Sequence, residues 1–271
     1  MRSSILVFVV LLTLCSCKKS NEEGAATCTP LNLNLFSLQK DIDLGAKVAA
    51  EIANDPTTYP LLDESAYPGA YGHIRRITNK ILTSGNVKHQ GDFVWQVKII
   101  QDDNTLNAFC TPGGYIYVYT GIIKYLDAED DLAGVLGHEI AHADQRHTTE
   151  TMTREYGIGT LLQIVLGNDP NTLVLLAKGL TDLKYSRCHE SEADDYSVRY
   201  LANTNYRCNG AASFFEKIQA AGGSSTPEFL STHPDPGNRV QNINAIADSK
   251  SCNKTVPASD ANYAAFKASL P

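Results

Sequence analysis

Apolar positions recur along this chain with two different periods. Leu38, Ile42, Gly45, Ala46, Ala49 and Ala53 repeat at helical spacing behind Ser37, which predicts a capped helix over residues 37–52. A second helix is expected over 71–82, with Ile74, Ile77 and Ile81 on one face. Pro56, Pro60, Pro68 and Gly69 mark the loop between them. The period then shortens. Over 93–100, Trp95, Val97 and Ile99 alternate with Gln96 and Lys98, the pattern of a half-buried strand. Residues 115–119 alternate again, 106–111 is a short candidate strand, and Pro112-Gly113-Gly114 is a turn signal between the two.

After Asp127 the helical period returns and runs, with breaks, to about residue 205. Asp127 is the N-cap candidate, with Glu129 and Asp130 favouring the positive end of the helix dipole. Leu132, Val135, Leu136, Ile140 and Ala143 form the stripe that this helix would bury. The break over 157–170 holds an apolar run at 161–166, which fits a core helix or packed loop better than a lipid contact. Further helices are expected over 171–201, 208–221 and 239–247, with a loop over 222–237. The expected class is α+β: a mainly helical domain with a small antiparallel β-sheet beside the helix that follows Asp127.

The N-terminus reads as a targeting segment. Arg2 precedes an apolar run over 5–14, too short to span a bilayer as a mature helix. Leu14-Cys15-Ser16-Cys17 then resembles a bacterial lipobox with Cys17 as the lipidated residue; an ordinary cleaved signal is the alternative. The expected organisation is a signal peptide over 1–17, a flexible tether over 18–34, a catalytic domain over 35–250 and a C-terminal tail over 251–271. Lipid on Cys17 would anchor the chain to a membrane. Lys18 after the anchor favours the periplasmic side of the outer membrane, by analogy with other bacteria. An exported chain meets oxidising conditions, so Cys208 with Cys252 is the first candidate disulfide, and Cys110 and Cys188 are also candidates to meet. A net charge of −7, with no run of Lys and Arg longer than two residues, excludes a nucleic-acid binder.

Chemistry concentrates at His138-Glu139-Ile140-Ala141-His142. Histidines four apart project from one face of a helix, so both imidazoles can hold one metal ion. Glu139, beside the first, can reach a water at that ion and act as a base. Zinc in such a site needs a third protein ligand. The metzincin spacing fails, because Gln145 and Thr148 stand where a glycine and a histidine are required. A carboxylate from the later segment 185–194 remains. Glu190 and Asp194 are four apart and share a face, so Glu190 is the preferred ligand and Asp194 the candidate to hydrogen-bond a ligating histidine. Glu192, about half a turn away, is the rival ligand.

His138-Glu139-xx-His142 with Glu190-xxx-Asp194, in a Ser-Arg-xx-Glu-x-Glu-Ala-Asp context, resembles the HtpX and CAAX-prenyl-protease family of zinc metallopeptidases. It is most similar to the soluble, lipoprotein-type bacterial members that act in envelope quality control. The segment from Leu35-Phe36-Ser37 to Gly45, the run Asn107-Ala108-Phe109-x-Thr111-Pro112-Gly113-Gly114 and Ser231-Thr232-His233-Pro234 also match, over residues 35–245. Cys110 stands where such sequences often carry Ala. The resemblance implies one Zn²⁺ on His138, His142 and Glu190, with Glu139 as the base of a metalloendopeptidase of gluzincin type. It implies unfolded or misassembled cell-envelope proteins as substrates. His233, held extended by Pro234, is a candidate transition-state donor or reversible fourth ligand; a surface-loop histidine is the alternative. Arg239 is a candidate support for it. Extended polypeptide is expected to add beside residues 107–111, from Asn107 to Thr111. His73, His89, His147 and His189 read as satisfied or solvated, with His147 off the zinc face and His189 pointing away from Glu190. The competing function is a zinc-containing chaperone or binding module with little turnover.

Overall fold

The computed structural model describes residues 33–156, 170–221, 228–234, 237–257 and 260–271. The expected signal peptide, the anchor Cys17, most of the tether, Cys28 and the apolar run at 161–166 lie outside the described residues. Helix α1 (Leu38–Asn54) begins where expected, with the Ser37 hydroxyl accepting from the Lys40 N–H. Its buried stripe is rotated from the expected one. Asp41, Leu44, Gly45, Val48 and Ile52 face inward, while Ala46 and Ala53 are exposed. Asp41 can be buried because the Arg146 guanidinium meets it, a partner more than a hundred positions away. Helix α2 (Pro68–Leu82) starts on Pro68, whose missing N–H costs nothing there, and buries Ile74, Ile77 and Ile81 as the pattern requires.

The sheet corrects one expectation: it is mixed, not antiparallel. Its strands β1 (Gln96–Ile100), β2 (Ala108–Thr111) and β3 (Tyr115–Tyr119) lie in the order β1-β3-β2. β2 and β3 form the antiparallel hairpin announced by Pro112-Gly113-Gly114, pairing Ala108 with Val118 and Thr111 with Tyr115. Gly113 and Gly114 take φ values of 78° and 89°, which side-chain-bearing residues rarely adopt. β1 joins the opposite edge of β3 in parallel, Gln96 facing Tyr115 and Ile100 facing Tyr119. The link over 101–107 is no tight turn. It folds on its own Asp102, which accepts from the Asn104 N–H and the Thr105 hydroxyl, and so carries the chain across to the far edge. The outer side of β1 is occupied by the preceding loop, where the Leu62 N–H donates to the Ile99 carbonyl at 2.8 Å. β2 is therefore left as the edge strand. β1 is also shorter than expected, because Trp95 turns to φ 46° and donates its indole N–H to the His89 carbonyl.

Helix α3 (Thr120–Tyr125) leads into α4 (Glu129–Asp144), the axis of the domain, which is buried along nearly its whole length. Asp127 is not its cap and pairs with Lys217 instead. The Asp131 carboxylate accepts from the Ala128 N–H, and the distant Asp260 accepts from the Glu129 N–H at 2.7 Å. After α5 (His147–Glu155), the expected single helix over 171–201 is divided into α6 (Pro170–Thr181) and α7 (Arg187–Ala202), the latter capped by the Ser186 hydroxyl. Helices α8 (Gly210–Ala220), α9 (Glu228–Thr232) and α10 (Arg239–Ser249) follow. The segment expected to be a tail carries α11 (Ala261–Ala268), whose Tyr263 and Phe266 enter the core. Among the described residues no helix is long and apolar enough to cross a membrane. Cys208 and Cys252 form the expected disulfide. Cys110 and Cys188 do not pair. Cys110 is a buried free thiol on β2, while Cys188 is disulfide-bonded.

Helix α4 lies against α8 backbone to backbone. A Cβ on Gly134 would sit 2.0 Å from the Ala211 nitrogen, and one on Gly210 would sit 2.0 Å from the Asp130 carbonyl oxygen. Replacing Gly134 by Ala should gain about 1 kcal/mol of helix propensity. The two backbones must then separate, at an overpacking cost of about 1–3 kcal/mol. We expect Gly134→Ala to lower the urea midpoint of unfolding. An unchanged or raised midpoint would mean that the helices part without cost.

Candidate metal centre

His138 and His142 occupy the same face of α4, one turn apart, and α7 lies across them. The first turn of α7 supplies Glu190, because the Ser186 cap fixes where that helix starts. The short helix α9 supplies His233 just beyond its last residue, with the His233 N–H closed onto the Phe229 carbonyl at 2.8 Å. Donor atoms of His138, His142, Glu190 and His233 all lie within 4.8 Å of one another, and all four residues are buried. The two imidazole Nε2 atoms are 2.9 Å apart, and Glu190 oxygens lie 3.3 and 3.4 Å from them. His233 Nδ1 is 3.1 Å from Glu190 Oε1 and 3.4 Å from His138 Nε2. His233 is thus part of the cluster, 1% exposed, and the surface-loop alternative is excluded.

The donor set fits a divalent cation. Imidazole nitrogens and carboxylate oxygens facing one another at such distances repel unless a proton or a cation lies between them. Glu139, Glu190 and Asp194 are all buried, and Arg239 is the one buried guanidinium in contact with Glu190 and Asp194. With all three carboxylates ionised and the imidazoles neutral, two negative charges remain, which a divalent ion balances. Both oxygens of Glu139 are buried without a hydrogen-bond partner in the protein, and Glu139 Oε1 lies 3.5 Å from His233 Nε2. An orphaned carboxylate beside a convergent donor set suits a base that works on a small polar ligand held there.

The electrostatics agree. Burial and the charge of Arg239 act to lower the His138 pKa, but the Asp194 and Glu190 carboxylates outweigh them and push it up to about 9. Burial holds His142 well below the usual histidine range, against the pull of Glu190. Glu190 is held well below the carboxylate range because His233, Arg239 and His142 outweigh the burial that would raise it. Burial raises the Glu139 pKa, moving it toward the range where it both takes and releases a proton.

Asp194 accepts at its Oδ1 from His138 Nδ1 at 2.9 Å, the role expected for it. It also receives two hydrogen bonds from Arg239, from Nε at 2.7 Å and Nη2 at 2.8 Å, while the guanidinium lies 4.2 Å from the centre of the Phe215 ring. Arg239, expected to support His233, supports Asp194 and Glu190 instead. Glu192 is not in the cluster. It faces His147, which lies 3.0 Å from His142 Nδ1, so His147 is satisfied on both ring nitrogens and, as expected, outside the donor cluster. His189 stacks on His147 and faces Glu150. Sequence reasoning gave no role to Tyr185, which stacks on the His142 ring at 3.9 Å, nor to Phe229, which stacks on His233 at 4.2 Å. The run that flanks Glu190 and the one that precedes His233 were the available signals, since each aromatic lies within five residues of a site residue.

A family described as "Peptidase family M48" matches residues 70–247. The chain is similar to a mitochondrial metalloendopeptidase OMA1 of Schizosaccharomyces pombe, 30% identical over 177 residues, or 63% of this chain and 51% of that one. It is 26% identical to a beta-barrel assembly-enhancing protease of Yersinia pestis over 249 residues, 86% of this chain and 49% of the relative. Metalloprotease YcaL of Escherichia coli K12 is 29% identical over 145 residues, 51% of this chain and 57% of its own. The chain spans about half the length of these relatives.

Arg239 compensates two carboxylates in a space closed to water, so removing its charge strands them. Arg239→Met should cost about 3–5 kcal/mol of stability, the usual result of breaking a fully buried ion pair. Urea unfolding in the presence of a chelator measures it. A loss below about 1 kcal/mol would place Arg239 among surface-like pairs.

Proposed function

The chain belongs to peptidase family M48, and on that premise we propose that it is a zinc-dependent metalloendopeptidase acting on unfolded or misassembled cell-envelope proteins. The observation that carries this reading is the convergence of His138, His142 and Glu190 on one point, with the unpartnered Glu139 carboxylate beside it. These three residues would hold one Zn²⁺ ion. When bound, the ion supplies a Lewis acid that polarises a peptide carbonyl and lowers the pKa of water to about 7.

The chain's own residues do the rest. Glu139 takes the proton of the attacking water on a carboxylate oxygen and hands it to the nitrogen of the leaving amine. Its raised proton affinity suits both halves of that transfer. Asp194 fixes the His138 ring so that Nε2 faces the centre, and Arg239 keeps Asp194 ionised. His233, with Nε2 3.5 Å from Glu139, is placed to donate to the oxygen that gains charge in the transition state. A substrate segment would add to the edge of β2. The Tyr119 N–H donates to the Asn107 carbonyl, so by the alternation of an antiparallel ladder the main chain of Ala108 and Cys110 faces the open edge. The Ala108 N–H is already taken by the Asn107 side chain, so Cys110 offers the free donor there.

The envelope setting is supported by the lipobox at Cys17 and by the name of the Yersinia relative. Lipid on Cys17 would hold the chain at the periplasmic side of the outer membrane. One observation favours a second reading, a chaperone or binding module with little turnover: the site is closed, with Glu139 and Glu190 0% exposed. Within the protease reading, the alternative role of His233 is a reversible fourth ligand, its Nδ1 lying 3.1 Å from Glu190 Oε1.

Purified protein and Glu139→Gln, each with and without a chelator, separate the two on unfolded casein. We expect cleavage by the native chain, its abolition by chelation, and a fall of about 10²–10⁴-fold in Glu139→Gln. Equal, chelator-insensitive cleavage by both proteins would end the protease reading, and no cleavage by either would promote the binding one.

A further inference from the structure

The two histidines of α4 are held from behind by different devices. His138 has a buried carboxylate on its Nδ1. His142 has an imidazole: His147 Nδ1 lies 3.0 Å from His142 Nδ1, and His147 Nε2 lies 3.4 Å from Glu192 Oε2. Two imidazole nitrogens facing each other at hydrogen-bond distance share one proton. If His142 turns the lone pair of Nε2 to a cation, its proton is on Nδ1, and His147 must present a bare Nδ1 to accept it. The proton of His147 is then on Nε2, where it meets the Glu192 carboxylate. We infer that His147 and Glu192 are positioning residues that fix the tautomer and orientation of His142 through this relay, an inference that rests on the metal site proposed above.

The local fold is built for the contact. His147 is five residues after His142, a spacing that a continuous helix would turn away from the site. Arg146 breaks the helix in the left-handed conformation, φ 62°, and is locked there by Asp41 and by the Phe36 carbonyl. That turn brings α5 back under α4. The His147 ring, 1% exposed, is stacked on His189 at 4.4 Å, which holds its plane. Glu192, on the side of α7 away from Glu190, is partly exposed and finds its partner in His147.

The test uses the full chain, stripped of metal and titrated with Co²⁺ against a competing chelator. His147→Leu keeps volume without an acceptor, whereas Asn in His147→Asn places an oxygen near the position of ring Nδ1. We expect His147→Leu to weaken Co²⁺ binding about 10–100-fold and to shift the visible absorption band, with His147→Asn within about threefold of the native chain. Glu192→Ala should give a smaller loss, because its side chain is not buried. Equal affinity and spectrum for His147→Leu and the native chain would overturn the relay, as would equal loss in the Leu and Asn variants. Failure of the native chain to hold Co²⁺ would instead overturn the metal site itself, and the relay with it.

Discussion

Glu139, Glu190 and Asp194 are buried within one small volume, and charge buried without compensation costs several kcal/mol per group. Much of the domain's organisation follows from meeting that cost. Arg239 reaches in from the start of α10 to contact two of the three, and the phenyl ring of Phe215 lies against its guanidinium. His138 and His142 present nitrogen lone pairs to the same space, so the cluster as a whole attracts a cation more strongly than any one member does. Neighbouring carboxylates raise the proton affinity of His138, while His233, Arg239 and His142 lower that of Glu190.

A field of this kind is useful only if its sources do not relax, and α4 is fixed at both ends and along its sides. At its start, Asp131 and Asp260 hold the first N–H groups. At its end, Asp144 accepts from the Lys88 and His89 N–H groups and from the Tyr200 hydroxyl, which ties the helix to the loop before β1 and to α7. Along its length, Gly134 admits the backbone of α8, and its carbonyl takes the Ser197 hydroxyl of α7 at 2.9 Å. Such contacts leave no slack for a side chain of ordinary size. The histidines therefore inherit their spacing from backbone packing.

The chemistry was legible because helical spacing is local: His138 with His142, and Glu190 with Asp194, can be paired by counting residues. The ligand choice between Glu190 and Glu192 was equally local, and the cluster contains Glu190. What was not legible depended on distant partners. The buried face of α1 is set by Asp41, an apparent surface residue until Arg146 is placed beside it. The antiparallel sense expected of the sheet fails at β1, because the link over 101–107 crosses to the far edge and leaves β1 parallel to β3. The contact of His147 with the rear of His142 depends on Arg146, whose left-handed backbone has no glycine to announce it. Cys110 was paired by proximity to the motifs; it is enclosed on β2 with the Tyr185 hydroxyl 4.0 Å from its sulfur.

Helix α7 joins these observations. Within five residues it places Glu190 in the cluster, Asp194 behind His138 and Glu192 behind His147. A carboxylate at every second position would ordinarily point one of them to solvent, and Glu192 does lie on the side away from Glu190. It has a partner only because α5 folds back along that side. The orientation of both α4 histidines is thus referred to one helix, directly through Asp194 for His138 and through an intervening imidazole for His142. The two arms differ in reach: Asp194 bonds to its histidine in a closed space, while Glu192 is partly exposed and acts through α5. A displacement of α5 or of the Arg146 turn would be felt first at His142, leaving His138 in place.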